Sequence, residues 1–317
     1  MEFSFTTLGT ASARPTSNRY PSAHILTIGG RLFLIDCGES AQIQMTRAGL
    51  SIARIDNIFI SHLHGDHIFG LFGLLSTMDM IGRVSPLHMY APAQMRNIID
   101  FFLKQFGGLK YQVVLHKVKC TEPVKILEFK SLDVYAFPLR HRVETYGYLF
   151  KEKAPQQNII KEKIEEKHLT IEEMARLKEG NNITRDGGEV LLSSELTYTP
   201  FYPRGFAYCC DTAPFRELSG WVKGVDLMYH EATYGNDLDV LAKSTFHSTA
   251  ADAAQCAKDA CAGKLVIGHF SSRYRSVEVL LAEARKLFPE TYLSKEGTKF
   301  DIPVNTAVSD TKNLATH

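Results

Sequence analysis

The stretch Ser61-His62-Leu63-His64-Gly65-Asp66-His67 sets three imidazoles and a carboxylate within six residues, directly after the apolar run 58–60. Neutral imidazole and ionised carboxylate are donors that zinc favours, and a catalytic zinc site leaves one position open for water. A buried strand that ends here, followed by a tight turn through Gly65, would aim these side chains into a single pocket. Ordinary loop histidines do not gather at this density, so the stretch reads as a metal-binding turn serving chemistry that needs an activated water.

The same placement recurs. Apolar runs at 132–138, 206–210, 225–229 and 264–268 end in His141, Asp211, His230-Glu231 and His269. Together these are more metal-type side chains than one tetrahedral ion can use. Two ions sharing a bridging carboxylate, about 3.5–4 Å apart, would stabilise both the entering and the leaving oxygen of a phosphoryl displacement.

The elements that must position these residues follow from pattern. Strands are expected at 3–8, 22–28 and 31–36, the last two joined through Gly29-Gly30, and then at 55–60, 86–90, 111–118, 124–129, 132–138 and 146–150. Helices are expected at 67–80, 91–106, 214–221, 250–262 and 276–288. Strands alternating with helices in both halves, with hairpins in the first, predict a mixed α/β-layered fold. The loop 10–20 carries Arg14 and Arg19, which suits either a solvated turn or contact with a phosphate backbone. From about 151 to 200 the composition turns to Lys and Glu, with few aromatics and no alternating core pattern. This segment reads as a projecting insertion, a helical hairpin in outline, with a capping box at Thr170 and Glu173 opening a helix that stops at Gly180.

With 317 residues the chain can bury a large core, and 36 basic against 35 acidic residues leave no global field that would mark a nucleic-acid binder. The cysteines 37, 120, 209, 210, 256 and 261 form no CxxC pair, and Cys209-Cys210 lie in an apolar run, as reduced core thiols would. The amino terminus reads as a first strand rather than a signal peptide, and no apolar run reaches membrane-spanning length. A soluble, cytoplasmic protein is expected.

These motifs resemble the metallo-β-lactamase superfamily and, within it, ribonuclease Z of the short bacterial form. The likeness rests on residues 61–67, Pro138-Leu139-Arg140-His141, Cys210-Asp211-Thr212, His230-Glu231-Ala232-Thr233, His247-Ser248-Thr249 and His269-Phe270-Ser271. The first motif marks only the superfamily; the HEAT and HST stretches and the long insertion narrow it. The resemblance implies one domain over 1–317, an αββα sandwich of two mixed sheets flanked by helices, with 151–200 as a flexible tRNA-binding arm. It implies two zinc ions per subunit: His62, His64 and His141 on one, Asp66, His67 and His269 on the other, and Asp211 bridging. Asp66 would also accept the proton of the attacking water, with Glu231 and His247 near the leaving group. The implied activity is endonucleolytic removal of the 3′ trailer from precursor tRNA, leaving a tRNA 3′-hydroxyl and a 5′-phosphorylated trailer, in a homodimer. The arm lacks the family's Gly-Pro-rich stretch, Cys210 stands where glycine is common, and residues 15–19 only approximate the basic loop; these departures touch the arm contacts and the response to a 3′-CCA, not the ligand set. Two rivals share the motifs: a dinuclear hydrolase of small substrates (a cyclic phosphodiester, thioester or lactone) and a non-catalytic RNA-binding subunit. His24 reads as a strand residue near the core or site, His230 as a residue that lines the pocket or fixes the backbone, outside the ligand set, and His88, His116, His168 and His317 as surface or structural.

Overall fold

The computed structural model describes residues 2–306; His317 therefore lies outside the described residues. The described chain divides into two compact units, one of residues 2–128, 134–150 and 205–302, the other of 129–133, 151–204 and 303–306.

The first unit is built on two seven-stranded sheets. In one, the order is Lys299–Asp301, Phe3–Gly9, Ala23–Ile28, Arg31–Cys37, Ile55–Phe59, Leu87–Pro92 and Val113–Val118. Its hairpin-linked strands pair antiparallel, and from Arg31–Cys37 outward the pairing is parallel. The second sheet runs Thr291–Leu293, Lys264–Gly268, Leu227–Glu231, Gly205–Cys209, Tyr146–Glu152, Leu132–Pro138 and Val124–Glu128. The mixed layered architecture expected from the sequence is thus the one observed.

Alternation along single strands explains the layers, because successive side chains point to opposite faces. In Arg31–Cys37, Leu32 and Leu34 join an aliphatic layer with Ile58, Leu71, Leu75, Met95 and Ile99, under the helices Leu71–Met80 and Met95–Phe106. Phe33 points the other way, into an aromatic seam between the sheets: Phe33 meets Phe150 at 5.5 Å, Phe5 meets Phe206 at 4.8 Å, and Phe59 meets Tyr148 at 5.2 Å. Truncating such a buried ring typically costs about 3–5 kcal/mol. On the second sheet, the helix Ala250–Asp259 buries Ala250, Ala253, Ala254 and Ala257, a stripe at helical spacing.

Three local features depart from expectation. The helix expected over 67–80 is two, Gly65–Ile68 and Leu71–Met80, because Gly70 runs backbone to backbone against residues 37–38. Its N–H donates to the Cys37 carbonyl at 2.9 Å, and a Cβ at Gly70 would collide with the Gly38 carbonyl. The strands Thr291–Leu293 and Lys299–Asp301 are also unforeseen, since three residues are too few to display a period.

The third is the insertion. It combines three short helices, Lys161–Glu166, Ile171–Lys178 and Ser193–Leu196, with two-residue ribbons, and it has its own small core of Leu169, Leu177, Ile183, Leu191 and Leu196. The capping box is present: the Glu173 N–H donates to Thr170 Oγ1 at 3.2 Å, and the Thr170 N–H to Glu173 Oε2 at 2.9 Å. Where the segment begins and ends, buried Glu152 and Arg204 pair at 2.7 Å. Among the described residues no helix is long and apolar enough to cross a membrane.

Candidate metal centre

Every metal-type side chain named from the sequence arrives at the carboxyl end of a strand. The run after Ile55–Phe59 is pegged before it turns: the Ile60 N–H donates to the Tyr90 carbonyl at 2.8 Å, and Tyr148 Oη donates to the Ile60 carbonyl at 2.6 Å. His62 follows, then His64 in extended backbone, and the helical turn Gly65–Ile68 then presents Asp66 and His67. His141 follows Leu132–Pro138, Asp211 follows Gly205–Cys209, and His269 follows Lys264–Gly268 in left-handed backbone at φ 59°.

These residues form two sets of facing atoms. His62, His64, His141 and Asp211 make one, and Asp66, His67 and His269 the other. In the first, His64 Nδ1 lies 3.0 Å from His62 Nε2 and 3.4 Å from His141 Nε2. Asp211 reaches both sets: Oδ2 lies 3.6 Å from His62 Nε2 and 3.9 Å from His141 Nε2, while Oδ1 lies 3.5 Å from His67 Nε2 and 3.3 Å from His269 Nε2. His67 Nε2, His269 Nε2 and Asp211 Oδ1 are buried without a hydrogen-bond partner. Unpartnered buried polar atoms are costly, and here they converge, which is the environment a divalent cation relieves.

Electrostatics point the same way. Burial, with neighbouring His67 second, pushes the His62 imidazole down, and burial also lowers His64 and His141, so their lone pairs are free to ligate. Burial works against ionisation of Asp66 and Asp211, but His67 and His269 hold both carboxyls below the usual range. Burial would also lower His67, yet Asp211, Asp36 and Asp66 raise it. The pocket carries surplus negative charge that a cation would balance.

Three of the imidazoles are oriented through their other nitrogen, the usual device at metal sites. His141 Nδ1–H donates to the Phe246 carbonyl at 3.0 Å, from a residue in left-handed backbone at φ 60°. His269 Nδ1 lies 2.9 Å from Thr233 Oγ1, whose hydroxyl donates to Glu231 Oε2. His67 Nδ1 lies 2.8 Å from Asp36 Oδ2. Sequence reasoning gave Asp36 only a place at the end of a strand. It is fully buried in left-handed backbone, and its two oxygens take the Ser61 N–H at 2.8 Å, Ser61 Oγ at 2.8 Å, Tyr208 Oη at 2.7 Å and His67. The available signal was position: it ends an apolar strand as the ligands do.

Asparagine at Asp36 would set an N–H₂ against converging donors and leave one oxygen for the rest. Asp36→Asn is therefore expected to weaken metal affinity about 10–100-fold and to lower the melting temperature. Chelator competition and thermal denaturation read both, and unchanged metal affinity would contradict the role.

Beside the two sets stand Glu231 and His247. Glu231 is fully buried; Oε1 accepts the Thr212 N–H at 2.8 Å and faces His247 Nδ1 at 2.8 Å, and Oε2 accepts the Thr233 N–H at 3.1 Å. Burial lowers the His247 imidazole, but Glu231 outweighs it and the group is raised to about 9. His247 could join Asp211 and His269 as a ligand by proximity. His230, outside the ligand set, points Nδ1 at the Glu231 carbonyl at 2.7 Å, and His24 is a core residue packed 4.6 Å from Tyr229. His88 and His116 pair with each other at 2.9 Å.

The centre opens into a cleft of about 510 Å³ lined by His64, Asp66, His141, Asp211, His247 and His269, with Ala13, Phe69, Arg142 and Tyr234 on its rim. The loop 10–20 reaches it through backbone: the Ala13 N–H donates to Asp66 Oδ2 at 2.8 Å. Arg14 bonds Ser272 at 3.0 Å and Arg19 bonds the Tyr274 carbonyl at 2.7 Å.

Two stacked mixed sheets with a histidine–aspartate centre at the strand ends make this a metallo-β-lactamase-fold protein with a divalent-metal site. The human short-form tRNase Z is similar over 95% of this chain and 99% of its own, at TM-score 0.69 and 25% identity. Ribonuclease Z of Bacteroides thetaiotaomicron is 41% identical over 299 residues, 93% of this chain and 94% of the relative, and that of Cytophaga hutchinsonii is 44% identical over 303 residues, 95% and 96%. The chain belongs to the ribonuclease Z family. A family model described as anti-Pycsar protein Apyc1 matches residues 3–160.

Proposed function

We propose that the chain is a zinc-dependent endoribonuclease that cuts precursor tRNA after the discriminator nucleotide, leaving a tRNA 3′-hydroxyl and a 5′-phosphorylated trailer. The observation that carries this reading is Asp211 facing two ligand sets at once, beside a carboxylate-held imidazole in an open cleft. The donors are nitrogen and oxygen only; the thiols of Cys209 and Cys210 are pushed far up by burial, which suits zinc bound by imidazole and carboxylate. His62, His64 and His141 would hold one ion, Asp66, His67 and His269 a second, with Asp211 shared. When bound, such a pair supplies positive charge that acidifies water and neutralises the phosphoryl oxygens.

The chain's own groups do the rest. Asp66, held toward the cleft by the Ala13 N–H, accepts the proton of the attacking water. His247, whose Nδ1 is taken by Glu231, delivers a proton from Nε2 to the departing 3′-oxygen. Glu231 is too buried to meet RNA and acts as a positioning residue through His247 and Thr233.

The segment 151–200 would be the arm that grips tRNA away from the scissile bond. Its surface keeps Ile171, Val190 and Tyr198 exposed around a small core of its own. A homodimer is supported by Met80, Ile81 and Val84, apolar residues 75%, 55% and 80% exposed at and just beyond the end of one helix. Six unpaired cysteines suit the cytoplasm.

The test is to incubate the zinc-loaded protein with 3′-extended tRNA and map the ends. Cleavage after the discriminator by the wild type, lost in Asp66→Ala, is expected; identical products from both proteins would sink the proposal. The histidine-rich turn at 61–67 would equally serve a small-substrate hydrolase. Deleting 155–198 separates the two, since tRNA cleavage should fall at least about 100-fold, roughly the loss of one good binding contact set, while hydrolysis of a small phosphodiester persists.

A further inference from the structure

A second hollow, of about 400 Å³, is lined by Leu139 and Arg140, the residues just before His141, and takes no part in the chemistry above. Its walls are Arg140, Phe215, Glu217, Trp221, Pro138 and Thr121. Both walls hang from metal-centre residues: Arg140 immediately precedes His141, and Phe215 follows Asp211 by four positions. They are stitched together, the Ala213 N–H donating to the Arg140 carbonyl at 2.7 Å and Thr212 Oγ1 accepting the Arg140 N–H at 3.1 Å.

The lining is aromatic and half-exposed. Phe215 and Trp221 meet edge to face at 5.5 Å, and the Arg140 guanidinium lies 4.7 Å over the Phe215 ring. An aromatic ring under a guanidinium offers a flat slot for another π face, and stacking of this kind accepts any base. The Glu217 carboxylate, 3.3 Å from Arg140, can accept an exocyclic amine, as acidic side chains do from base edges. A base-paired residue cannot enter, because its faces are already stacked within a duplex.

The side of the cleft identifies the nucleotide. His247, which protonates the leaving 3′-oxygen, lies tilted against His141 with ring centres 5.1 Å apart, so the nucleotide that keeps this oxygen sits nearest the hollow. We propose that the Arg140–Phe215–Trp221 hollow receives the unpaired base of the nucleotide on the 5′ side of the cut; this rests on the ribonuclease reading above.

The test pairs a base deletion with a ring deletion. Wild type and Phe215→Ala, zinc-loaded, are compared on 3′-extended tRNA whose discriminator nucleotide is intact or abasic. Removing the base should raise the wild-type KM about tenfold, the size of one stacking contact. Phe215→Ala should lose about as much on intact RNA and nothing further on abasic RNA, while Phe215→Tyr, which keeps a ring, recovers. Trp221 is the sole tryptophan, so its emission should change on binding intact RNA and not abasic RNA. Equal Phe215→Ala penalties on both RNAs would mean a merely structural ring and overturn the proposal, as would a wild type indifferent to the base. If the wild type cuts neither RNA, it is the ribonuclease reading that fails, and the Trp221 emission on the two uncut RNAs still decides the hollow.

Discussion

Asp211→Asn should leave a folded chain that has lost roughly 10³-fold or more in turnover and holds fewer than two metal ions. The expectation follows from where its two oxygens point. Oδ2 lies 3.6 Å from His62 Nε2 on one side, and Oδ1 lies 3.3 Å from His269 Nε2 on the other, so one carboxylate charge serves both sets. Asparagine keeps the shape but removes that charge and offers an N–H₂ to one of the sets. The loss of a shared anionic ligand should forfeit several kcal/mol of charge stabilisation. About 4 kcal/mol corresponds to roughly 10³-fold in rate. His141→Ala provides the contrast, because it reaches only one set and should strip one site while leaving the other filled. Metal analysis of the purified variants, read beside kcat/KM on 3′-extended tRNA, separates the cases. If Asp211→Asn retained both ions while His141→Ala lost both, the shared-carboxylate reading would be wrong.

The contrast between Asp211 and Asp36 shows what was legible in the chain and what was not. Asp211, like His62, His141 and His269, announces itself as a polar group at the end of an apolar run, and burial of such a group demands a partner. Which residues face one another is a different kind of knowledge: His64 and His141 lie 77 positions apart, and only the resemblance to a known family put them together in advance. Asp36 also ends an apolar run, yet its task is defined by donors from Ser61, His67 and Tyr208, contacts that span up to 172 positions. The Ala13 N–H and the Phe246 carbonyl were out of reach altogether, because backbone groups leave no mark in the residue alphabet. In the fold, strands with clear alternation or continuous apolar character were visible, while the break at Gly70 depends on a backbone approach from Gly38. The insertion hid its core for a related reason. Leu169, Leu177, Ile183, Leu191 and Leu196 sit on helices, ribbons and loops that share no common period.

The second large effect concerns the proton rather than the metal. His247→Ala should reduce cleavage of 3′-extended tRNA about 10²–10⁴-fold, the range of a lost general acid. The loss should shrink to a few-fold on a phosphodiester whose leaving group is p-nitrophenolate, since an anion that stable departs without a proton. A ligand role for His247 predicts the opposite, equal losses on both substrates together with lost metal. The pH dependence has a definite sign. Burial lowers His247, but Glu231 at 2.8 Å raises it to about 9, so the imidazole carries its proton at neutral pH and loses it as pH rises through that value. A general acid works only while protonated, and the rate should therefore fall on the alkaline side. Metal cations nearby push the imidazole down and Glu231 holds it up, so the wild-type limb alone does not isolate the carboxylate. Glu231→Gln does: it removes the raising charge, leaves burial in place, and should move the alkaline limb to lower pH on tRNA while the p-nitrophenyl substrate keeps its profile. An unshifted limb in Glu231→Gln would mean that some group other than His247 delivers the proton to the 3′-oxygen.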